Sequence, residues 1–248
     1  KIQMKMFGKV GVYVNNRGAD VANGSFGTGY TQIRTIVEML YNAVFKEGER
    51  NKADVDELTA GYMQQILINA RSMPLAAPNT LFVFAAGNDG SDNDVLPCSP
   101  ANLREDNTIT VAATLRNREL AYFSNYGVTK VDVAAPGVGI KSTYPGDDHG
   151  QMSGTSQAAP YVSMLAGVIK NQNPSLRPID IKAILMGTVD LKEWLVTKVK
   201  SGGLVNPSRA KDAAILSKEM GVFAAINASR SRVKDQDVEE KPSNPTPN

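Results

Sequence analysis

The chain has 248 residues, 42% of them hydrophobic and 21% charged, which is enough for one large domain with its own core. Its net charge of +2 points to neither nucleic acid nor an anionic membrane as a partner, and no apolar run reaches the length of a membrane span. The single cysteine, Cys98, excludes an intrachain disulfide framework, and with only one histidine the chain has too few ligands for a structural zinc site.

The chain opens on Lys1 without a signal peptide, in a segment that reads as a strand, Lys1–Phe7. We take this as the opening of a chain whose true N-terminus lies further upstream. Strands are expected over Asp20–Phe26, Thr80–Ala86, Thr108–Ala113 and Lys130–Ala135. Three of them are almost continuously apolar, as strands covered on both faces should be. A helix is expected over about Thr31–Phe45, with Ile33, Ile36, Val37, Leu40 and Val44 on one stripe. A second spans about Asp54–Met73, after a polar loop at Lys46–Ala53. A helix carrying Ser156 follows a hairpin between Tyr144 and Met152. Ile179–Met186 and a segment starting at Pro207 and running through Leu216 complete the helices. From Asn227 to Asn248 the sequence is polar and Pro-containing, and a disordered tail is expected there. Strands alternating with helices imply an α/β fold with a parallel sheet.

Three segments carry candidate chemistry. In Gly154-Thr155-Ser156-Gln157-Ala158-Ala159-Pro160 a serine enters the first turn of an apolar helix. Taken alone this is an N-cap, where a hydroxyl satisfies backbone donors. The same position places a hydroxyl in the positive field of unpaired N–H groups, which suits an acyl-transfer centre. In Ala85-Ala86-Gly87-Asn88-Asp89-Gly90 an apolar strand ends in a Gly-Asn turn. Sites in parallel α/β sheets lie beyond the carboxyl ends of strands, so an amide there can be aimed at a developing oxyanion. The third segment is Gly18–Gly27, an interior strand ending in a glycine turn.

These segments resemble the subtilisin-like serine proteases, the subtilases. The resemblance is carried by an ordered series of blocks: Ser124-Asn125-Tyr126-Gly127, Val131–Gly137, Ser142-Thr143-Tyr144-Pro145, and Met152-Ser153 leading into Ser156. Gly202–Pro207 with Ala210 resembles the family's closing turn and helix. The likeness covers about Tyr13 to about Ala214, and a helical hairpin around residues 46–78 looks like an insertion. It implies an α/β, doubly wound, mostly parallel sheet flanked by helices, incomplete at its N-terminus. Residues 1–226 would be the C-terminal portion of a catalytic domain. It implies a serine endopeptidase with Ser156 as nucleophile, and with Asn88 and the Ser156 N–H as oxyanion donors. Ser25, Phe26 and Gly27, with Ala86 and Gly87, would line the cleft and pair with an extended polypeptide substrate. Most family members carry an apolar residue where Gly24 stands. The resemblance also implies a propeptide encoded upstream and a secreted or cell-envelope location.

The family's Asp-Ser/Thr-Gly and His-Gly-Thr segments are absent from these 248 residues, so the chain alone is expected to be inactive. The single histidine, His149, lies seven positions before Ser156 in Gly146–Gly150. It reads as a solvated turn residue. The alternative is a His149–Ser156 dyad oriented by Asp147 or Asp148, which would make a different hydrolase. A non-catalytic peptide-binding relative is the other competing class. Asp89, Asp92 and Asp94 offer oxygens of the kind calcium takes, but the spacing of a calcium loop is missing, so they read as an acidic surface loop and no cofactor is expected. Cys98, placed by rough alignment near the base of the primary specificity pocket, reads as a buried, inert thiol.

Overall fold

The computed structural model describes residues 2–236. Its central sheet has the strand order β1 (Val21–Gly24), β3 (Leu81–Ala85), β5 (Thr108–Leu115), β7 (Val133–Pro136), β11 (Gly203–Leu204), β10 (Asp190–Leu191). The first five of these run parallel, β10 returns antiparallel on β11, and a short β6 (Glu119–Leu120) pairs with the end of β5. The register is Gly24↔Phe84, Val83↔Ile109 and Val111↔Val133. Among the described residues strand β1 pairs on one side only, with β3, and so forms a sheet edge. Two small ribbons lie outside the sheet: β2 (Thr28–Gly29) with β4 (Cys98–Ser99), and the hairpin β8 (Ile140–Tyr144) with β9 (Asp148–Met152).

Alternation along β3 sends its side chains into two cores. Leu81, Val83 and Ala85 join Ile109, Val111 and Val133 against Val162, Leu165 and Ile169 of α4 (Thr155–Gln172), with Ile181 and Ile184 of α5 (Pro178–Gly187). Phe82 and Phe84 point the other way, into a core with Ala70 and Met73 of α3 (Lys52–Ala76). Helix α2 (Tyr30–Val44) packs on α3. Helices α6 (Pro207–Leu216) and α7 (Val222–Arg232) close the α4 side, with Ala210, Ala213, Ala214 and Ile226 in the core.

Two expectations are corrected. The strand expected over Lys1–Phe7 is not found: from Ile2 the chain is helical, α1 running from Ile2 to Asn16 along α3, and Lys1 lies outside the described residues. Its packing face is Phe7, Gly11 and Val14, spaced i, i+4, i+7 as a helix requires. Gly11 lets the helices meet: a Cβ there would lie 2.3 Å from the Met73 carbonyl oxygen. The polar tail does not begin at Asn227. Helix α7 continues to Arg232 because Ile226 and Ser229 are buried, and residues 233–236 are held on Arg209 and Asp190. The rest of the expected tail, 237–248, lies outside the described residues. The absence of an apolar side chain at Gly24 also has a reason. Its face is occupied by the Phe84 ring, 2.5 Å from where a Cβ would stand.

Candidate active site

The carboxyl ends of β1 and β3 and the N-terminus of α4 meet at one edge of the sheet. Asn88, just past β3, accepts at Oδ1 from the Thr155 N–H (2.9 Å) and from the Thr155 hydroxyl (2.9 Å). The Thr155 Oγ1 in turn accepts from the Gly87 N–H (3.2 Å). Two donors on Oδ1 fix the amide orientation and leave Nδ2 free to donate elsewhere. A point at the Cβ position of residue 154 lies 3.5 Å from Asn88 Nδ2 and 3.6 Å from the Ser156 N. Both nitrogens therefore lie beside the same small space at the start of α4, where the helix field is positive. A side chain at 154 would fill that space and collide with Gln157 Oε1, 2.7 Å away.

Ser156 is tied to the end of β1 by two hydrogen bonds. Its hydroxyl donates to the Ser25 carbonyl oxygen (3.3 Å), and the Ser25 hydroxyl donates to the Ser156 carbonyl oxygen (2.8 Å). The second bond has a local cause. In a helix the Ser156 carbonyl would accept from the N–H of residue 160, and Pro160 has none. The freed acceptor is used to anchor the segment Ser25–Gly27 beside the serine.

His149 sits in β9 opposite Thr143, exposed, and its main-chain N–H donates to Asp148 Oδ1 (2.7 Å). The hydrogen bond made by the Ser156 hydroxyl runs to Ser25, not to this imidazole.

A family model described as "Subtilase family" matches residues 3–221. The chain belongs to the subtilase family. Subtilisin BL of Lederbergia lenta is 37% identical over 130 residues, which is 52% of this chain and 45% of that protein. Alkaline elastase YaB of Bacillus sp. (strain YaB) is 39% identical over 112 residues, 45% of this chain and 28% of that protein. Among solved structures, a protease from Pseudoalteromonas arctica PAMC 21717 superposes with a TM-score of 0.52 at 30% identity, covering 79% of this chain and 51% of that one. The matched region thus spans less than half of these two curated relatives and about half of the structural neighbour.

In this subtilase chain the turn that carries Asn88 rests on a relay of buried asparagines that sequence reading did not single out. Asn125 Oδ1 accepts from the N–H groups of Asp89 (2.8 Å) and Ser91 (3.1 Å), and its Nδ2 donates to Asn93 Oδ1 (3.0 Å). Asn93 donates to the Ala86 carbonyl (2.9 Å), and Asn102 donates to the Asn93 carbonyl (2.7 Å) while accepting from the Cys98 N–H (3.1 Å). The available signal was asparagine recurring at Asn88, Asn93, Asn102 and Asn125. Gly87 is required here twice over: its φ is +115°, and a Cβ would lie 2.4 Å from Asn125 Nδ2.

Of the expected cleft residues, Ser25, Phe26 and Gly27 lie along the open side of the site. Phe26 is 48% exposed and packs edge-on against Phe84. Gly87 faces them. Ala86 does not line the cleft: it is fully buried, its N–H donates to Val111 and its carbonyl accepts from Asn93, so it supports the wall from behind. The loop aspartates act as turn staples. Asp92 accepts from the Asp94 N–H (2.9 Å), and Asp94 accepts from the Thr129 hydroxyl (2.8 Å). Cys98 is buried, and burial, with Asp89 adding to it, pushes its thiol up to about 12. No helix among the described residues is long and apolar enough to cross a membrane.

Proposed function

We propose that this protein is a serine endopeptidase in which Ser156 forms the acyl-enzyme. The observation that carries this reading is that Asn88 Nδ2 and the Ser156 N both lie beside one space at Gly154, next to the serine. In the reaction the Ser156 Oγ bonds to the peptide carbonyl carbon and its proton passes to a general base. Negative charge collects on the carbonyl oxygen between the two donors. The C–N bond then breaks as the leaving amine takes the proton, and water hydrolyses the ester by the same route. Removing one oxyanion donor costs about 100- to 1,000-fold in turnover, a magnitude measured on a subtilisin and borrowed here.

The substrate is an extended polypeptide that adds as a strand along Ser25–Gly27, the continuation of the sheet edge β1. The base is not His149, whose hairpin position leaves the Ser156 hydroxyl on Ser25. It comes from outside residues 1–248, so the isolated chain turns over poorly. The helical hairpin at 46–78 is an insertion on the catalytic domain, and the protein works outside the cytoplasm.

Labelling with a fluorophosphonate probe tests the assignment on wild type, Ser156→Ala and His149→Ala. The proposal expects weak labelling or none in the wild type, and any label that forms should vanish with Ser156→Ala and persist in His149→Ala. Label surviving in Ser156→Ala would refute Ser156 as the nucleophile. Label lost in both variants would establish the His149–Ser156 dyad instead.

A further inference from the structure

We infer that the cavity between α2 and the start of α3 is a binding site for a doubly charged oxyanion of the phosphate type. The site is separate from Ser156 and does not depend on the serine-peptidase reading. The cavity has a volume of about 470 Å³, a size usual for small-ligand sites. Tyr41 and Val55, both buried, line its inner part. Arg34, Arg50 and Lys52 bring three positive charges to its wall, against one lining carboxylate, Glu38.

The acids around the cavity are already committed elsewhere. Glu38 Oε2 accepts from Arg34 Nη1 (3.0 Å), and Asp56 Oδ1 accepts from Arg34 Nε (2.9 Å). Asp54 accepts at Oδ2 from the Tyr41 hydroxyl (2.7 Å) and at Oδ1 from Asn51 Nδ2 (3.3 Å). Glu49 Oε2 accepts from the Lys46 N–H (3.0 Å). Among the described residues neither Arg50 nor Lys52 forms an ion pair. Two positive charges therefore stand on the cavity wall without a counter-charge. Arg50 is also held in place. Its Nε donates to the Phe45 carbonyl (2.9 Å) and its Nη2 to the Asn42 carbonyl (2.9 Å). Both acceptors are neutral, so they fix the guanidinium without cancelling its charge, and they leave Nη1 uncommitted. A fixed guanidinium with a free nitrogen suits an oxyanion, and Lys52, the first residue of α3, adds a flexible point charge beside it. Two uncompensated charges match a dianion better than a monoanion.

Calorimetric titration of the whole chain with inorganic phosphate at pH 8 tests this, with acetate as the monoanion comparison and ionic strength held constant with sodium chloride. The expected result is saturable binding of phosphate, tighter than that of acetate and weakened at least about threefold in Lys52→Gln and in Arg50→Gln. Arg50→Gln also removes the two bonds to main-chain carbonyls and can loosen the hairpin. Lys52 is exposed, so Lys52→Gln keeps the test sound, and circular-dichroism melts verify that both variants remain folded. Absence of saturable phosphate binding, acetate binding as tight as phosphate, or phosphate binding unchanged in Lys52→Gln would each overturn the inference.

Discussion

Replacing Arg209 with alanine should destabilise the fold by about 4 kcal/mol. The side chain is 4% exposed and every donor is engaged. It donates to the carbonyls of Thr188 (3.4 Å) and Val189 (2.9 Å), twice to Val233 (3.1 and 2.9 Å), and to the carboxylates of Asp190 (3.1 Å) and Asp235 (2.6 Å). Asp190 is fully buried, and without Arg209 it keeps only uncharged donors: Asn206 Nδ2 (2.7 Å) and the N–H and Nε2 of Gln236 (3.1 and 2.8 Å). Removing one partner of a buried pair costs about 3–5 kcal/mol because the other charge is stranded. The remaining neutral donors pull the figure toward the lower end, and the stranded Val189 carbonyl raises it by about 1–3 kcal/mol. For a chain of this size 4 kcal/mol lowers Tm by about 8–16 °C. Urea melts followed by circular dichroism measure the loss, and hydrogen exchange should show residues 233–236 released. Arg177→Ala is the control: its pair with Asp180 is made by a side chain 74% exposed, and a loss small beside that of Arg209→Ala is expected. If Arg209→Ala costs no more than Arg177→Ala, the Arg209–Asp190 pair does not hold the C-terminal segment and the reasoning fails.

Two further outcomes follow from shifted ionisations. The Arg209 guanidinium holds the Asp235 carboxyl below its ordinary value. A depressed carboxyl stabilises the fold at pH above its unfolded value, about 4, and the contribution is lost as pH falls through the lower folded value. Hydrogen-exchange protection of 233–236 should therefore be flat from neutral pH to about 5 and fall on further acidification; protection that does not change with acid would contradict the pairing. The Cys98 thiol, buried and raised to about 12, should resist DTNB at pH 8 in the folded protein and react at once in denaturant. Because the folded value lies above the unfolded one, its contribution is present below about 8.5 and lost as pH rises toward the folded value. Rapid stoichiometric labelling of the native protein would show that the thiol is not enclosed.

The sheet was legible because β3, β5 and β7 are apolar on both faces, and no other element reads that way at such length. The helices α2 to α6 were legible from their stripes and their starts at Pro178 and Pro207. Helix α1 was not, because its packing face includes Gly11, which has no hydropathy to register. The end of α7 was missed for a related reason: its two inward residues, Ile226 and Ser229, are too few to outweigh a polar composition. The nucleophile segment and the Gly87-Asn88 turn were legible as motifs. Their supports were not, since the Asn125, Asn93 and Asn102 relay joins residues up to 32 positions apart through side-chain amides. Only the folded chain brings those together.

The hydrogen bond from Ser156 to Ser25 needs weighing against a catalytic role, because it occupies the proton that a base must take. At 3.3 Å it is long for a hydroxyl donor and falls outside the usual O–H···O range. A neutral bond of ordinary length contributes about 0.5–1.5 kcal/mol net, and this one contributes less. Rotation of the hydroxyl about χ1 releases it without disturbing the anchor, since the Ser25 side chain holds the Ser156 main chain through a separate, shorter bond of 2.8 Å. An imidazole arriving at the sheet edge β1 would offer a stronger acceptor than a carbonyl. The serine is thus held in place by its backbone and left loose at its oxygen. That suits the nucleophile role proposed for it, and the hydroxyl is not a cap, because Ser156 is the second residue of α4 and the N-cap is Gly154.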